Sequence, residues 1–144
     1  MKFYFPDINV WVAMAYRGHQ HHAIAGSWFD HLENDTAGFC RVTQMGFLRL
    51  LTNPAVMGDE VKTQVEAWKG YDLLTSDSRV VFYPEPDAVA VEDEFRTLTT
   101  TARSTHQQFP DAYLAAFARV GGLTLVTFDR ALSKLARKDV LLLR

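Results

Sequence analysis

The run Phe3-Tyr4-Phe5-Pro6-Asp7-Ile8-Asn9-Val10-Trp11 limits the fold more than any other stretch of the chain. A short apolar segment, then Pro-Asp, then an apolar helical pattern reads as a buried strand passing straight into a helix. That places the Asp7 carboxylate where a strand ends and a helix begins, which is where open α/β sheets bind ligands. Taken alone, Asp7 has a simpler explanation, because an Asp before a helix caps its free N–H groups. Two similar positions near the C-terminus give it a second meaning.

The rest of the chain alternates between the two patterns. Asn9 to Tyr16 predicts a short helix stopped at Arg17-Gly18, and His22 to Leu32 predicts another with Ile24, Trp28 and Leu32 on one face. Thr36 to Cys40 reads as a strand, and Thr43 to Leu51 as a helix closed by Asn53-Pro54. Val61 to Leu74 carries a helical stripe of Val61, Val65 and Trp68. Val80 to Tyr83 is a β-branched and aromatic run stopped by Pro84 and Pro86. Ala88 to Ala102 repeats the amphipathic pattern through Val91, Phe95, Leu98 and Ala102.

Pro110 opens a further helix, in which Asp111 to Val120 is rich in Ala and ends at Gly121-Gly122. Leu123 to Val126 is an apolar strand, followed by Thr127-Phe128-Asp129, a short helix bearing Leu132, Leu135 and Ala136, and a last strand over Val140 to Leu143. The stripes assign Trp11, Trp28 and Trp68 to the core, together with Phe47 and Phe117. Near-continuous apolar strands separated by helices require a sheet covered on both faces, which means the α/β class with a mainly parallel sheet.

Composition narrows the chemistry. At 144 residues and 48% hydrophobic, the chain suits a single domain spanning residues 1–144. Its 15 basic and 17 acidic residues give a net charge of -2, which excludes a general polycation, so any phosphate contact is local or uses a metal. A lone cysteine, Cys40, excludes an internal disulfide and a cysteine-rich zinc site and reads as a buried small hydrophobe. His19, His21, His22 and His31 lack the spacing of a zinc site. Nucleotide-cradling GxGxxG and GxxxxGK[ST] loops are absent. Met1-Lys2 leads into the first strand without a secretory pattern, and no apolar run nears the roughly 20 residues of a bilayer span. The expectation is a cytoplasmic chain with no membrane partner.

The strands of a parallel sheet end along one edge, so Asp7 and Asp129, each following a strand, share that edge. Asp111 opens the helix that Gly121-Gly122 folds back into the strand before Asp129, which returns Asp111 to the same place. Three carboxylates gathered without a cation between them repel one another and bind protons more tightly unless an ion neutralises them. Hard oxygen donors suit Mg²⁺ or Mn²⁺, and such a site stabilises charge on a phosphodiester while activating water. The Asp-x-Asp signature of another metal-dependent phosphoryl hydrolase class is missing, because position 9 is Asn.

Four blocks, in order, resemble those of PIN-domain ribonucleases, and most of all the VapC-type toxins of bacterial toxin-antitoxin pairs. They are Pro6 to Trp11, Phe47-Leu48-Arg49-Leu50-Leu51-Thr52-Asn53-Pro54, Asp111 to Ala118, and Leu125-Val126-Thr127-Phe128-Asp129, and the His19 to His22 segment adds to the likeness. The resemblance implies a three-layer α/β/α PIN-like domain acting as a Mg²⁺-dependent endoribonuclease on RNA, held inactive by a cognate antitoxin and forming a homodimer. It also implies that Asp7, Asp111 and Asp129 are the catalytic metal ligands, Asp129 directly or through water. Asn9 and Thr127 would then be supporting groups that orient them. Arg49, in the middle block, becomes a candidate for contacting a substrate phosphate.

One departure matters. The family usually has Glu where this chain has Gly46, and no Asp or Glu occurs from Thr36 to Gly58. Gln44 points about 200° round a helix from Gly46 and cannot stand in. Glu92, Asp93 and Glu94 are the other possible source of a carboxylate, although a solvated helix start explains them. A missing ligand weakens metal affinity, so the alternative function is a catalytically weak module that binds RNA or antitoxin.

Overall fold

The computed structural model describes residues 1–101 and 104–144. Its centre is a five-stranded sheet formed by β1 (Phe3–Pro6), β2 (Thr36–Phe39), β3 (Val80–Phe82), β4 (Thr124–Thr127) and β5 (Val140–Leu142). The strands lie in the order β3-β2-β1-β4-β5, and every neighbouring pair is parallel. The chain builds outward from β1 to β3 on one side, then crosses to β4 and β5 on the other. The order therefore reverses between β1 and β4, where Tyr4 pairs with Thr124 and Pro6 with Val126. Crevices beyond the carboxyl ends of strands form at such reversals.

Eight α-helices connect these strands among the described residues: α1 (Ile8–Ala15), α2 (His22–Asp30), α3 (Arg41–Leu51), α4 (Pro54–Met57), α5 (Gln64–Thr75), α6 (Ala88–Thr99), α7 (Phe109–Gly121) and α8 (Arg130–Ala136). They form two layers because successive strand residues face opposite ways. Tyr4, Ala37 and Phe39 point into a cluster with Trp11, Phe47 and Leu51 from α1 and α3. Phe5 and Leu125 point the other way, into a cluster with Leu114 and Phe117 from α7 and Leu132 from α8. Trp11 stacks on Phe39 at 3.9 Å and Phe5 on Phe117 at 4.8 Å. Burying each such large side chain contributes roughly 1.5–3 kcal/mol. Cys40 is a buried free thiol in the second cluster, as its apolar neighbours predict.

The Ala-rich α7 buries Ala112, Ala115, Ala116 and Ala118, so its backbone lies close to the sheet. Gly122 ends it in the left-handed conformation at φ 66°, and the Leu123 N–H turns back to the Ala118 carbonyl at 2.8 Å. This is the helix stop that Gly121-Gly122 predicts.

The helix predicted over Val61 to Leu74 differs most from expectation. Asn53-Pro54 does end α3, but Pro54 then starts the short α4, followed by a 3₁₀ turn over Gly58–Glu60. Helix α5 begins only at Gln64, after a capping box between Thr63 and Glu66. Its inward face is Ala67, Tyr71 and Leu74, so the stripe containing Val65 and Trp68 faces outward. Trp68 is 47% exposed, and its assignment to the core is wrong. Trp11 is buried and Trp28 partly so. Ala102, the last residue of the predicted α6 stripe, lies outside the described residues. No described helix is long and apolar enough to cross a membrane.

Candidate active site

Asp7 occupies the reversal between β1 and β4. Its backbone N–H donates to the Val126 carbonyl at 2.9 Å, which extends the pairing of the two strands by one bond. Its Oδ1 accepts from the Val10 N–H at 3.0 Å, so the capping role expected of it is real. Its Oδ2 accepts from the Thr127 hydroxyl at 2.5 Å. Both carboxylate oxygens are thus held, in a side chain 5% exposed.

Thr127 is fully buried and links two of the acids. While its hydroxyl hydrogen goes to Asp7, its oxygen accepts the Asp129 backbone N–H at 2.9 Å. Asp129 is exposed and caps α8, accepting from the N–H groups of Ala131 and Leu132 with the same Oδ1. Asp111, in the first turn of α7, is half-buried and has no hydrogen bond or ion pair among the described residues.

All three acids line one cleft of about 200 Å³, together with Ile8, Asn9, Gly46, Arg49, Leu50 and Leu114. A larger cavity of about 520 Å³ lies away from it, between Tyr16, Leu51, Met57 and Gly70. The acids affect one another's titration. Burial pushes Asp7 up to about 6, against the lowering effect of the bonds from Thr127 and Val10, and the charges of Asp111 and Asp129 push it further the same way. Asp111 is also raised, by burial first and then by Asp129. Such a cleft favours whatever brings positive charge into it. The donor set is all carboxylate oxygen, which fits a hard divalent ion such as Mg²⁺ or Mn²⁺. Among the described residues, however, no three His, Cys, Asp or Glu side chains stand close enough together to grip one ion at once.

The other expected residues divide. Asn9 lines the cleft but is exposed and makes no side-chain hydrogen bond among the described residues. Arg49 is exposed at the cleft wall. Neither Gln44 nor Glu92, Asp93 and Glu94 line it: Gln44 accepts from Arg41 on α3, while Glu92 and Glu94 pair with Arg96 and Arg119.

Gly46 does lie on the cleft wall, and the space beside it is filled. A Cβ there would stand 2.1 Å from Ile8 Cδ1 and 2.7 Å from Ile8 Cγ1. The sequence reading missed this role of Ile8, and also the apolar wall formed by Leu50 and Leu114. Helical spacing did carry part of the signal, since Gly46, Arg49 and Leu50 fall at i, i+3 and i+4 on α3.

The PIN domain family profile matches residues 4–138. The chain belongs to the PIN-domain family. Its relatives place it in the VapC group. It is 39% identical over 133 residues to Ribonuclease VapC41 of Mycobacterium tuberculosis, an alignment covering 89% of this chain and 90% of that one. It is 32% identical to Ribonuclease VapC38 of the same organism, covering 92% and 89%. The fold of this PIN domain is similar to VapBC2 from Rickettsia felis bound to a DNA fragment from its promoter, with a TM-score of 0.73, 13% identity and 99% of each chain covered. It is also similar to Mycobacterium tuberculosis VapC20, described as a sarcin-ricin loop cleaving toxin, with a TM-score of 0.65, 18% identity and 92% and 94% covered. At these identities the two structures speak for the fold alone. The three-layer α/β/α architecture with a parallel sheet is that of PIN-domain structures.

Proposed function

We propose that this PIN domain is the toxin of a toxin-antitoxin pair, an endoribonuclease that hydrolyses RNA phosphodiester bonds with Mg²⁺, or Mn²⁺ in its place. The observation that carries the reading is the convergence of Asp7, Asp111 and Asp129 on one cleft at the sheet reversal, with Asp7 and Asp111 both driven toward protonation. The ribonuclease names of the VapC relatives support the choice of RNA.

When bound, the ion supplies Lewis-acid stabilisation of the charge that builds on a phosphodiester during hydrolysis. The chain's own residues do the rest. Thr127 and the Val10 N–H fix the Asp7 carboxylate in one orientation and keep it acceptor-only when ionised. Asp111 offers lone pairs that no other described group takes. Asp129 keeps Oδ2 for the cleft while Oδ1 caps α8. Arg49 is the one guanidinium lining the cleft among the described residues and suits a substrate phosphate. Asn9 lies near enough to orient a carboxylate or a bound water once the cleft is filled.

A cognate antitoxin and a second copy of this chain complete the proposed assembly. The second reading, a weak PIN module that binds RNA or antitoxin without efficient cleavage, is favoured by Ile8 filling the space beside Gly46. Cleavage of a structured RNA in Mg²⁺ separates the two. The nuclease reading expects Asp7→Ala and Asp111→Ala each to reduce the rate by more than about 100-fold, beyond the 10–100-fold typical of groups that merely support a metal ligand. Binding without metal-dependent cleavage by the parent chain would favour the module.

A further inference from the structure

A groove adjoins the acidic cleft. It lies between α3 and α5, has a volume of about 350 Å³, and is lined by Leu48, Arg49, Thr52, Gln64, Ala67 and Trp68. Arg49 lines both this groove and the acidic cleft, so the two adjoin at that residue.

Trp68 is an unusual residue to leave half in water. Its ring is fixed from below, edge-on to Tyr71 at 5.7 Å and 88°, and Tyr71 in turn packs at 4.9 Å against Phe39 in the core. An exposed aromatic braced on one side in this way leaves a ring surface open for stacking. Stacking suits any base, because every base has a π-face.

Charge points the same way. Among the described residues, the acidic cleft is lined by three carboxylates and one cation and the groove by the same cation and no carboxylate, so a phosphodiester meets less repulsion there. The exposed face of α5 pairs Val65 with Trp68, but the positions four and seven beyond Val65 are Lys69 and Asp72, so it offers little apolar length for a partner helix to lie along. A partly apolar pocket with a cation, a hydroxyl and an amide at its rim fits a nucleotide better.

We propose that the α3–α5 groove is a nucleobase subsite for single-stranded RNA, in which Trp68 stacks on a base and Arg49 holds the phosphate that leads from it into the acidic cleft. The assignment rests on the ribonuclease reading, because it takes the strand in the cleft to be RNA. Neither Thr52 nor Gln64 needs to read a particular base for the subsite to work.

The test is fluorescence anisotropy with a labelled single-stranded RNA oligonucleotide. It is run on protein carrying Asp7→Asn, which keeps an acceptor for the Val10 N–H while removing a charge needed for cleavage. Trp68→Ala is expected to weaken binding by about 5- to 150-fold, the loss of one base stack, and Trp68→Phe to restore most of it. Arg49→Ala is expected to lower the slope of log affinity against log salt by about 0.7, as removal of one phosphate contact requires. An oligonucleotide with abasic positions, titrated against the Asp7→Asn protein, is expected to bind as weakly as the intact oligonucleotide binds to the Trp68→Ala form. This arm makes no change in the groove and so does not depend on Trp68→Ala folding. Unchanged RNA affinity in Trp68→Ala, or equal binding of abasic and intact RNA, overturns the subsite while leaving the ribonuclease reading untouched. Trp68→Ala that loses an antitoxin but keeps RNA overturns it in favour of protein docking, and failure of the Asp7→Asn protein to bind any RNA overturns both readings.

Discussion

Asp7 carries two duties that pull against each other. As the cap of α1 it suits the ionised form, while its burial beside Asp111 and Asp129 disfavours that form and raises it from 3.8 to about 6. Between those values the folded chain holds a proton that the unfolded chain has released. The contribution of this group to stability is therefore fully present below about pH 4 and is lost as pH rises through 6, amounting to about 3 kcal/mol. Metal-free protein should become less stable to urea across that range, and Asp7→Asn should flatten the profile and be the more stable form at pH 7. A parent profile that rises instead would show that Asp7 is not held in a costly ionised state.

Gly46 and Ile8 form the second residue-scale question. The missing family Glu suggests an empty ligand position, yet Ile8 occupies the space a side chain there would enter. Gly46→Glu alone forces the end of the Ile8 side chain aside, a cost of up to about 1–3 kcal/mol offset by about 0.5–1 kcal/mol of helix propensity. The same substitution in an Ile8→Ala background should cost less and tighten Mn²⁺ binding on the order of tenfold, as an added carboxylate would. Equal costs in the two backgrounds, read from denaturant midpoints, would mean that the two residues do not compete for one space.

At the scale of elements, α7 and α5 show what helical periodicity can and cannot reveal. In α7 the run of Ala residues, the opening Pro110 and the closing Gly122 each have a local physical cause, and the helix sits where they place it. Ala116→Leu should therefore cost about 1–3 kcal/mol, measured as a lowered urea midpoint, because Ala116 is fully buried and its surroundings leave no space for a larger side chain. In α5 the apolar residues lie on two faces, Val65 and Trp68 on one, Tyr71 and Leu74 on the other. Only docking on α3 decides between them, and Ala67, too small to stand out in the sequence, marks the buried side. The helix starts at Gln64 and not at Val61 for a local reason too, since the Thr63–Glu66 capping box satisfies its first N–H groups.

For the whole molecule, a mainly parallel sheet was legible because its strands are near-continuously apolar and its turns are punctuated by Pro, Gly and Asp; that every pair is parallel comes from the structure. The site was legible in position because strand ends share one edge whatever the details of packing. Its fine geometry was not. That Thr127 bridges Asp7 to the backbone of Asp129, that Asp129 turns one oxygen to α8, and that Ile8 closes off Gly46 all depend on side-chain directions that spacing does not encode.

The convergence of the acids is tested most directly by calorimetric titration of metal-free protein with Mn²⁺, comparing the parent chain with Asp7→Asn and Asp111→Asn. Saturable binding in the parent, weakened by more than about tenfold in each variant, is the expected result. Equal affinity in all three proteins would contradict a shared ion in the cleft and, with it, the proposed nuclease centre.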